Sequence, residues 1–522
     1  MLRQIPTVSV QTMLIFLCFL LVFTSFLLLL LLSRNNKDGA SSRKGLLPPG
    51  PPRFPVIGNL HQLGKFSLHR ALHELSRRYG PLMSLQLGCV STVVVSSARM
   101  AREVLKTHDL QFADRPFLVS VQKLTYNGLD LTFSPYGEYW RELRKICIIG
   151  FFSIKRVQSF QSIREDEVSI LIKSISQLAD SSKLVNLSKM MFSTTSNIIC
   201  GIAFGKNFHE EGCERSTFYG LLDEYQVSMG SFAFANYFPS LGWILDTLTG
   251  FNSRLERIFQ GFDSFFRQVI EEHLDPKRLK HDRGDITDLL LQMHKDHTSE
   301  IDLTLDHIKA VMTDILLAGT DTTTATLVWA MTFLAKHPRV MEKAQEEVRN
   351  LIRNKQNISE YDLHQLHYLK CVVKETLRLQ PAAPLLVPRE SRKQCNLDGY
   401  KIHPKTQILV NAWTIGRDPE FWENPEEFRP ERFINSSIDF KGQCFEYIPF
   451  GSGRRICPGI NFGMVIVELV LANLLYSFDW ELPPGIKTAD IDMEELSGLT
   501  VHKKNALCLL ASNYTEHCTS LL

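Results

Sequence analysis

The eleven residues Pro449-Phe450-Gly451-Ser452-Gly453-Arg454-Arg455-Ile456-Cys457-Pro458-Gly459 constrain this chain more than any other segment. An amphipathic run follows, with Ile460, Met464, Val467, Leu471 and Leu474 at helical spacing. Pro458 suits the first turn of that helix, where its missing N–H costs nothing. Cys457 then sits just before a helix N-terminus, where free N–H groups and the positive dipole end favour a thiolate. Gly451 and Gly453 let the loop turn tightly and approach a flat ligand. With no second Cys or His nearby, one thiolate cannot close a zinc or iron–sulfur site. It can be the single protein ligand of a haem iron.

The segment resembles the haem-binding signature of the cytochrome P-450 superfamily, F-x-x-G-x-R-x-C-x-G. Phe450, Gly453, Arg455, Cys457 and Gly459 all match. The resemblance covers nearly the whole chain. It implies a mainly α fold with small β-sheets, haem b as cofactor and Cys457 as the axial iron ligand. A thiolate ligand pushes electron density onto iron and favours O–O cleavage.

Other segments agree. Ala318-Gly319-Thr320-Asp321-Thr322-Thr323-Thr324 is a poor helix interior inside an otherwise apolar helical pattern, and such local violations are expected where function sits. Threonine hydroxyls can bond the carbonyl one turn back and open the helix slightly. Gly319 leaves room for a small ligand such as dioxygen. Asp321 and Thr322 set an acid beside an alcohol, which suits proton relay, and A-G-x-D-T matches the family's oxygen-activation motif. Glu375 and Arg378 lie three apart on one helix face. With Arg432 of Pro430-Glu431-Arg432-Phe433, the resemblance makes them a buried charge network. It also makes Trp140, Arg144, Arg389 and Arg455 the partners of the haem propionates, since guanidinium forks suit carboxylates. His364, His367 and Cys371 lack a fourth ligand, so a helix start explains them better than zinc.

Met13 to Leu32 carry no charge, and at 1.5 Å per residue such a helix spans about 30 Å, the thickness of a bilayer's hydrocarbon core. Arg34, Lys37, Arg43 and Lys44 follow it and only Arg3 precedes it. The positive-inside rule therefore places the rest of the chain in the cytoplasm. The expected organisation is a short lumenal N-terminus (1–12), a transmembrane anchor (13–32), a basic and proline-rich linker (33–55) and one haem-thiolate domain (56–522). For this family that means the endoplasmic reticulum membrane. The sequons at Asn186, Asn357, Asn435 and Asn513 are then expected to stay bare. The 11 cysteines are an odd number without any C-x-x-C pair, as in a reducing compartment.

Within the domain, helical patterns run over 99–107, 135–149, 155–179, 186–203, 253–274, 304–336, 338–354, 362–379 and 459–476, with β-like runs at 82–88, 91–96, 385–388, 399–402 and 407–410. A net charge of only +2 gives no basic excess for nucleic acid. No G-x-G-x-x-G opens a helix after a strand, so electrons must come from elsewhere. The resemblance implies O2 as co-substrate and NADPH oxidised by a separate cytochrome reductase. Arg141, Lys145 and Arg454, near the expected haem contacts, are read either as a basic docking patch for it or as a generic solvated face. The motif set resembles the plant A-type subgroup, which serves specialised metabolism of terpenoids, alkaloids, phenolics and oximes. Substrate-facing stretches are expected at 112–130, 228–243, 311–319, 382–387 and 497–501, with Phe117, Phe234, Leu316, Ala318, Leu386 and Leu499 lining an apolar pocket. The expected activity is a haem-thiolate monooxygenase. A haem-thiolate isomerase or dehydratase that does not use dioxygen, and a non-catalytic haem protein, are the alternatives, and the acid–alcohol pair weighs against both.

Overall fold

The computed structural model describes residues 47–514, apart from 65–66, 209–212, 279–283, 298–299, 352–354 and 356. The expected anchor at 13–32 lies outside the described residues. Leu82–Leu87 (β1) and Val90–Val95 (β2) form an antiparallel hairpin with Leu87 opposite Val90. Gly88 makes the turn at φ +57°, a region glycine enters at no steric cost. Arg389–Glu390 (β3) and Gln407–Val410 (β4) complete the sheet. β4 runs parallel to β2 and antiparallel to β3, which sets Arg389 opposite Ile408. The main-chain ladder thus fixes the position of Arg389.

Helices make up most of the rest. Those that matter for the site are Glu138–Gly150 (α1), Gln161–Asp180 (α2), Leu187–Phe204 (α3), Cys213–Gly230 (α4), Leu305–Lys336 (α5), His367–Leu379 (α6) and Ile460–Ser477 (α7). α5 has 32 residues, about 48 Å at 1.5 Å per residue. Thr304 caps it: the His307 N–H donates to the Thr304 hydroxyl, and the His307 ring returns to the Thr304 N–H. From Ala325 to Ala335 every residue is buried, as expected of a helix apolar on all sides at the centre of a large domain. α3 packs against α5, and the hydroxyls of Thr195 on α3 and Thr324 on α5 meet at 2.6 Å between them. α7 has 18 residues with mean hydropathy 1.7 and is apolar enough to cross a membrane, but 61% of it is buried inside the domain. It is a core helix.

Several boundaries differ from the sequence reading. The run 155–179 breaks at Phe160 into Ile154–Ser159 and α2. Residues 385–388 are not a strand; prolines at 384 and 388 cannot donate to a ladder, and Leu386 turns to φ +53°. Helices at Leu68–Tyr79, Cys213–Gly230 and Ile286–Asp296 were not expected. The first carries a legible signal in Ala71, Leu72 and Leu75. The second mixes Gly220, Ser and Thr with little amphipathic bias, so packing rather than pattern selects it.

The structure brings Glu375, Arg378 and Arg432 together. Arg378 grips Glu375 through Nε and Nη2, both at 2.8 Å, and Arg432 Nε reaches Glu375 Oε1 at 3.0 Å. The Arg429 N–H adds a bond at 2.8 Å, and the carbonyls of Gly416, Pro425 and Glu427 take the other guanidinium protons of Arg378. Glu375 and Arg378 have 0% exposed side chains. Removing one partner leaves a desolvated charge. Arg378→Gln should therefore cost about 3–5 kcal/mol of stability, read as a lowered urea midpoint. A shift within error of zero would show that the network holds nothing together.

Candidate active site

One cavity gathers most of the expected site residues. It is lined by Cys457 and its loop, by Trp140 and Arg144 of α1, by Ile315, Ala318, Gly319 and Thr322 of α5, and by Leu386, Arg389 and Arg455. The α5 residues at 315, 318, 319, 322 and 326 all line it; their spacing of three, four and seven defines one helix face. Leu316 is 100° away on that helix, fully buried, and does not line the cavity. Phe117 is 67% exposed, and Phe234 and Leu499 also lie off the cavity wall. Of the six expected pocket residues, Ala318 and Leu386 remain.

The cysteine loop is held by its main chain. The Cys457 N–H donates to the Phe450 carbonyl at 3.0 Å. Gly451 and Gly453 both sit at φ +72°. A Cβ on Gly453 would stand 2.0 Å from the Leu105 carbonyl oxygen, so that glycine answers to the neighbouring backbone and not to a ligand. Gly459 caps α7, which leaves Pro458 just before the helix and not in its first turn. Burial pushes the Cys457 thiol up, while the Gly459 N–H and Arg144 pull it down. Helix position alone therefore does not make the thiolate; binding a metal cation would.

The charge around the cavity is unbalanced. Arg389 and Arg455 are buried, and Arg144 and Arg115 are half-buried with the cavity beside them. Arg455 donates to the carbonyls of Ala113 and Ser134 at 2.9 and 2.6 Å, Arg144 to that of Ile456 at 2.7 Å. Arg389 pairs with Asp109 at 2.8 Å and reaches the Ser452 carbonyl. Arg115 had not been singled out from sequence. It donates to the carbonyls of Thr132, Val387 and Pro388 at 2.8 Å each. Its sequence signal is slight, one of two adjacent charges (with Asp114) between Phe112 and Phe117. Burial and the neighbouring Arg455 and Arg389 drive the Arg115 guanidinium well below its ordinary range. Burial and Arg389 push Arg455 down to about 9. Asp314 also lines the cavity, but burial raises it to about 6 and the N–H groups of Leu131 and Thr132 occupy it. Four guanidiniums with one paired carboxylate call for an anionic guest. A flat apolar ring bearing two carboxylates, with a metal for the Cys457 sulfur, fits that demand.

Trp140 and Gly319 serve differently from expectation. The Trp140 N–H donates to the Leu131 carbonyl at 3.0 Å. Its ring lies under Arg455 at 4.2 Å and Arg144 at 5.4 Å. Trp140 is thus a platform that steadies two cations. A Cβ on Gly319 would meet Ile199 Cδ1 at 2.7 Å, so its missing side chain admits α3, not a small ligand. The Thr322 hydroxyl donates to the Ala318 carbonyl at 2.7 Å, and Thr324 and Thr326 bond back in the same way; α5 stays continuous through them. Asp321 turns away from the cavity, to His502 Nε2 at 2.5 Å. His364 is exposed and bonded to the Tyr361 carbonyl while Cys371 is buried; they form no cluster with His367.

Comparison with known proteins places this arrangement. The sequence model of the cytochrome P450 family matches residues 48–510. Cytochrome P450 71AP13 of Prunus mume is 50% identical over 491 residues, 94% of this chain and 95% of that protein. A strychnine-11-hydroxylase of Strychnos nux-vomica is 48% identical over 498 residues, 95% of this chain and 96% of that protein. A zebra fish cytochrome P450 structure with progesterone superposes with a TM-score of 0.73 at 26% identity, covering 85% of this chain and 99% of that one. The chain belongs to the cytochrome P450 family, as a plant A-type monooxygenase that uses haem b, O2 and NADPH electrons delivered through a reductase.

Proposed function

We propose that the chain oxidises an apolar small molecule of plant specialised metabolism, a terpenoid, alkaloid, phenolic or oxime, by hydroxylation or a related oxygen insertion. One observation carries this reading: Cys457 and the Ala318–Thr322 face of α5 line the same cavity. Cys457 Sγ would hold the haem iron. Arg115, Arg144, Arg389 and Arg455 would hold its propionates. Bound haem supplies the activation of dioxygen. Ile315, Ala318, Val387 and Leu386 keep the chamber dry and hold an apolar substrate by shape. Thr322 holds a hydroxyl proton at the cavity wall, and Asp321, the next residue, exchanges protons with it by turning its carboxylate inward. The strychnine hydroxylase supports an alkaloid among the candidate classes.

On the same reading, residues 13–32 anchor the chain in the endoplasmic reticulum and the domain faces the cytoplasm, where the reductase docks. Arg141, Lys145 and Arg454 are each about half exposed, and each faces a carboxylate of its own chain, Glu138, Glu142 and Asp109. They are therefore a weak docking patch on their own, and the reductase must find further contacts.

Thr322→Ala should leave haem and substrate binding nearly unchanged and divert electrons to peroxide. Product formed per NADPH consumed, measured with a reductase and a panel of apolar substrates, should fall several-fold. Unchanged coupling would reduce Thr322 to a helix residue, and product without NADPH would favour the isomerase alternative. The cytoplasmic placement predicts that no sequon is used. The Asn357 and Asn513 amides already donate to Ser169 and Asp180. An endoglycosidase-dependent mobility shift of the native membrane protein would show a lumenal domain instead.

A further inference from the structure

His502 stands outside every motif discussed so far. It lies on a two-residue strand, His502–Lys503 (β6), paired with Glu495–Leu496 (β5), with His502 opposite Leu496. The residue before it is tied on both sides. The Trp329 indole of α5 donates to the Val501 carbonyl at 3.1 Å, and the Val501 N–H donates to the Ala382 carbonyl at 2.9 Å. The imidazole is therefore delivered to α5 by a fixed main chain, about two turns before the buried Trp329. Its Nε2 meets Asp321 Oδ1 at 2.5 Å. The His502 side chain is 24% exposed and that of Asp321 14% exposed, so the ring touches solvent while the carboxylate sits further in.

We propose that His502 is a positioning residue that recharges Asp321 with protons from solvent and holds its carboxylate turned out until the proton is transferred. The proposal rests on the reading of Asp321 and Thr322 given above. In each cycle the imidazolium gives its Nε2 proton to Asp321 Oδ1. That transfer ends the ion pair and frees the neutral carboxyl to rotate toward Thr322. Neutral imidazole then takes a proton from water. One proton moves from solvent to the cavity wall, and no electron changes hands.

The surrounding charges suit a proton store. Two carboxylates face the ring, Asp321 from α5 and Asp223 from α4. The next residue on its own strand, Lys503, turns to Asp492. Burial works to lower the imidazole, but Asp321 and Asp223 outweigh it and the net shift is upward. A histidine raised in this way holds its proton below the ordinary value of about 6.5 and beyond it, and loses it only as pH rises through the folded-state value. Asp223, raised by burial and by Asp321, is pulled the other way by His502. Such a third group tunes the store without reaching the cavity.

Two measurements on the full-length holoenzyme test this. In the diamagnetic ferrous–CO form, the His502 imidazole, assigned with His502→Gln, should titrate above the free-histidine value in NMR and move down in Asp321→Asn. Product formed per NADPH should fall in the wild type as pH rises through that titration. His502→Gln can keep a hydrogen bond to Asp321 but stores no proton. With haem content unchanged, its product ratio should be several-fold lower and flat across the same pH range. An unshifted His502, or a His502→Gln enzyme with the wild-type pH profile, overturns the proposal. Asp321→Asn separates the two readings. If it stays fully coupled, the Asp321 relay itself fails. If it uncouples while His502→Gln does not, the relay stands and only the part given to His502 falls.

Discussion

Four arginine side chains converge on one cavity from four separate segments, and the rest of the active domain is arranged to hold them there. Arg115 comes from the segment before the short helix Val119–Leu124, Arg144 from α1, Arg389 from β3 and Arg455 from the cysteine loop. Each guanidinium is tied by main-chain carbonyls, and among the described residues Arg389 alone of the four has a partner carboxylate, Asp109. Carbonyl dipoles fix direction but do not cancel charge, so the cluster remains repulsive until an anion enters. That explains why so much backbone is engaged at this point. The Leu131 carbonyl receives both Trp140 and Arg455, while the Leu131 and Thr132 N–H groups are held by Asp314 of α5. The long helix that forms one wall of the chamber therefore also braces the cation cradle.

The same helix sorts two adjacent polar residues to different duties. Thr322 lies on the cavity face with Ala318, and Asp321, 100° away, meets His502 outside. A relay between solvent and chamber needs this division, because a carboxylate left inside an apolar cavity would either protonate or strand its charge. The buried Glu375–Arg378–Arg432 unit serves a different end. It locks α6 to the segment 425–432, and its hydrogen bonds are complete within the protein.

Spacing carried a good deal of this. The cysteine loop, the α5 motif and the Glu375–Arg378 pair were legible because each depends on residues close in sequence or on one helix face, whereas Arg432 joined that pair only through the family resemblance. What could not be read depends on contacts between distant segments. Leu316 and Ala318 are equally apolar, and only the helix phase against the cavity separates them. Gly319 suggested space for a ligand, yet its missing Cβ faces Ile199 of α3, which no local pattern specifies. The Trp140 N–H was assigned to a cofactor carboxylate and is taken by Leu131, a choice set by the path of the loop before α1. Arg115 and His502 belong to no periodic pattern. They acquire meaning only where β3, the cysteine loop, α4 and α5 meet them. The sulfur's own chemistry is a further case: helix position suggested a thiolate, but burial opposes it, so ligand and metal must be considered together.

On the proposed reading, Cys457 supplies the one protein ligand to iron in a cradle built for a dianionic ring. X-ray absorption at the iron edge of the purified resting protein tests it most directly. One iron per chain is expected, with four nitrogen scatterers and a single sulfur neighbour. A first shell of nitrogen and oxygen alone, with no sulfur at bonding distance, would contradict it.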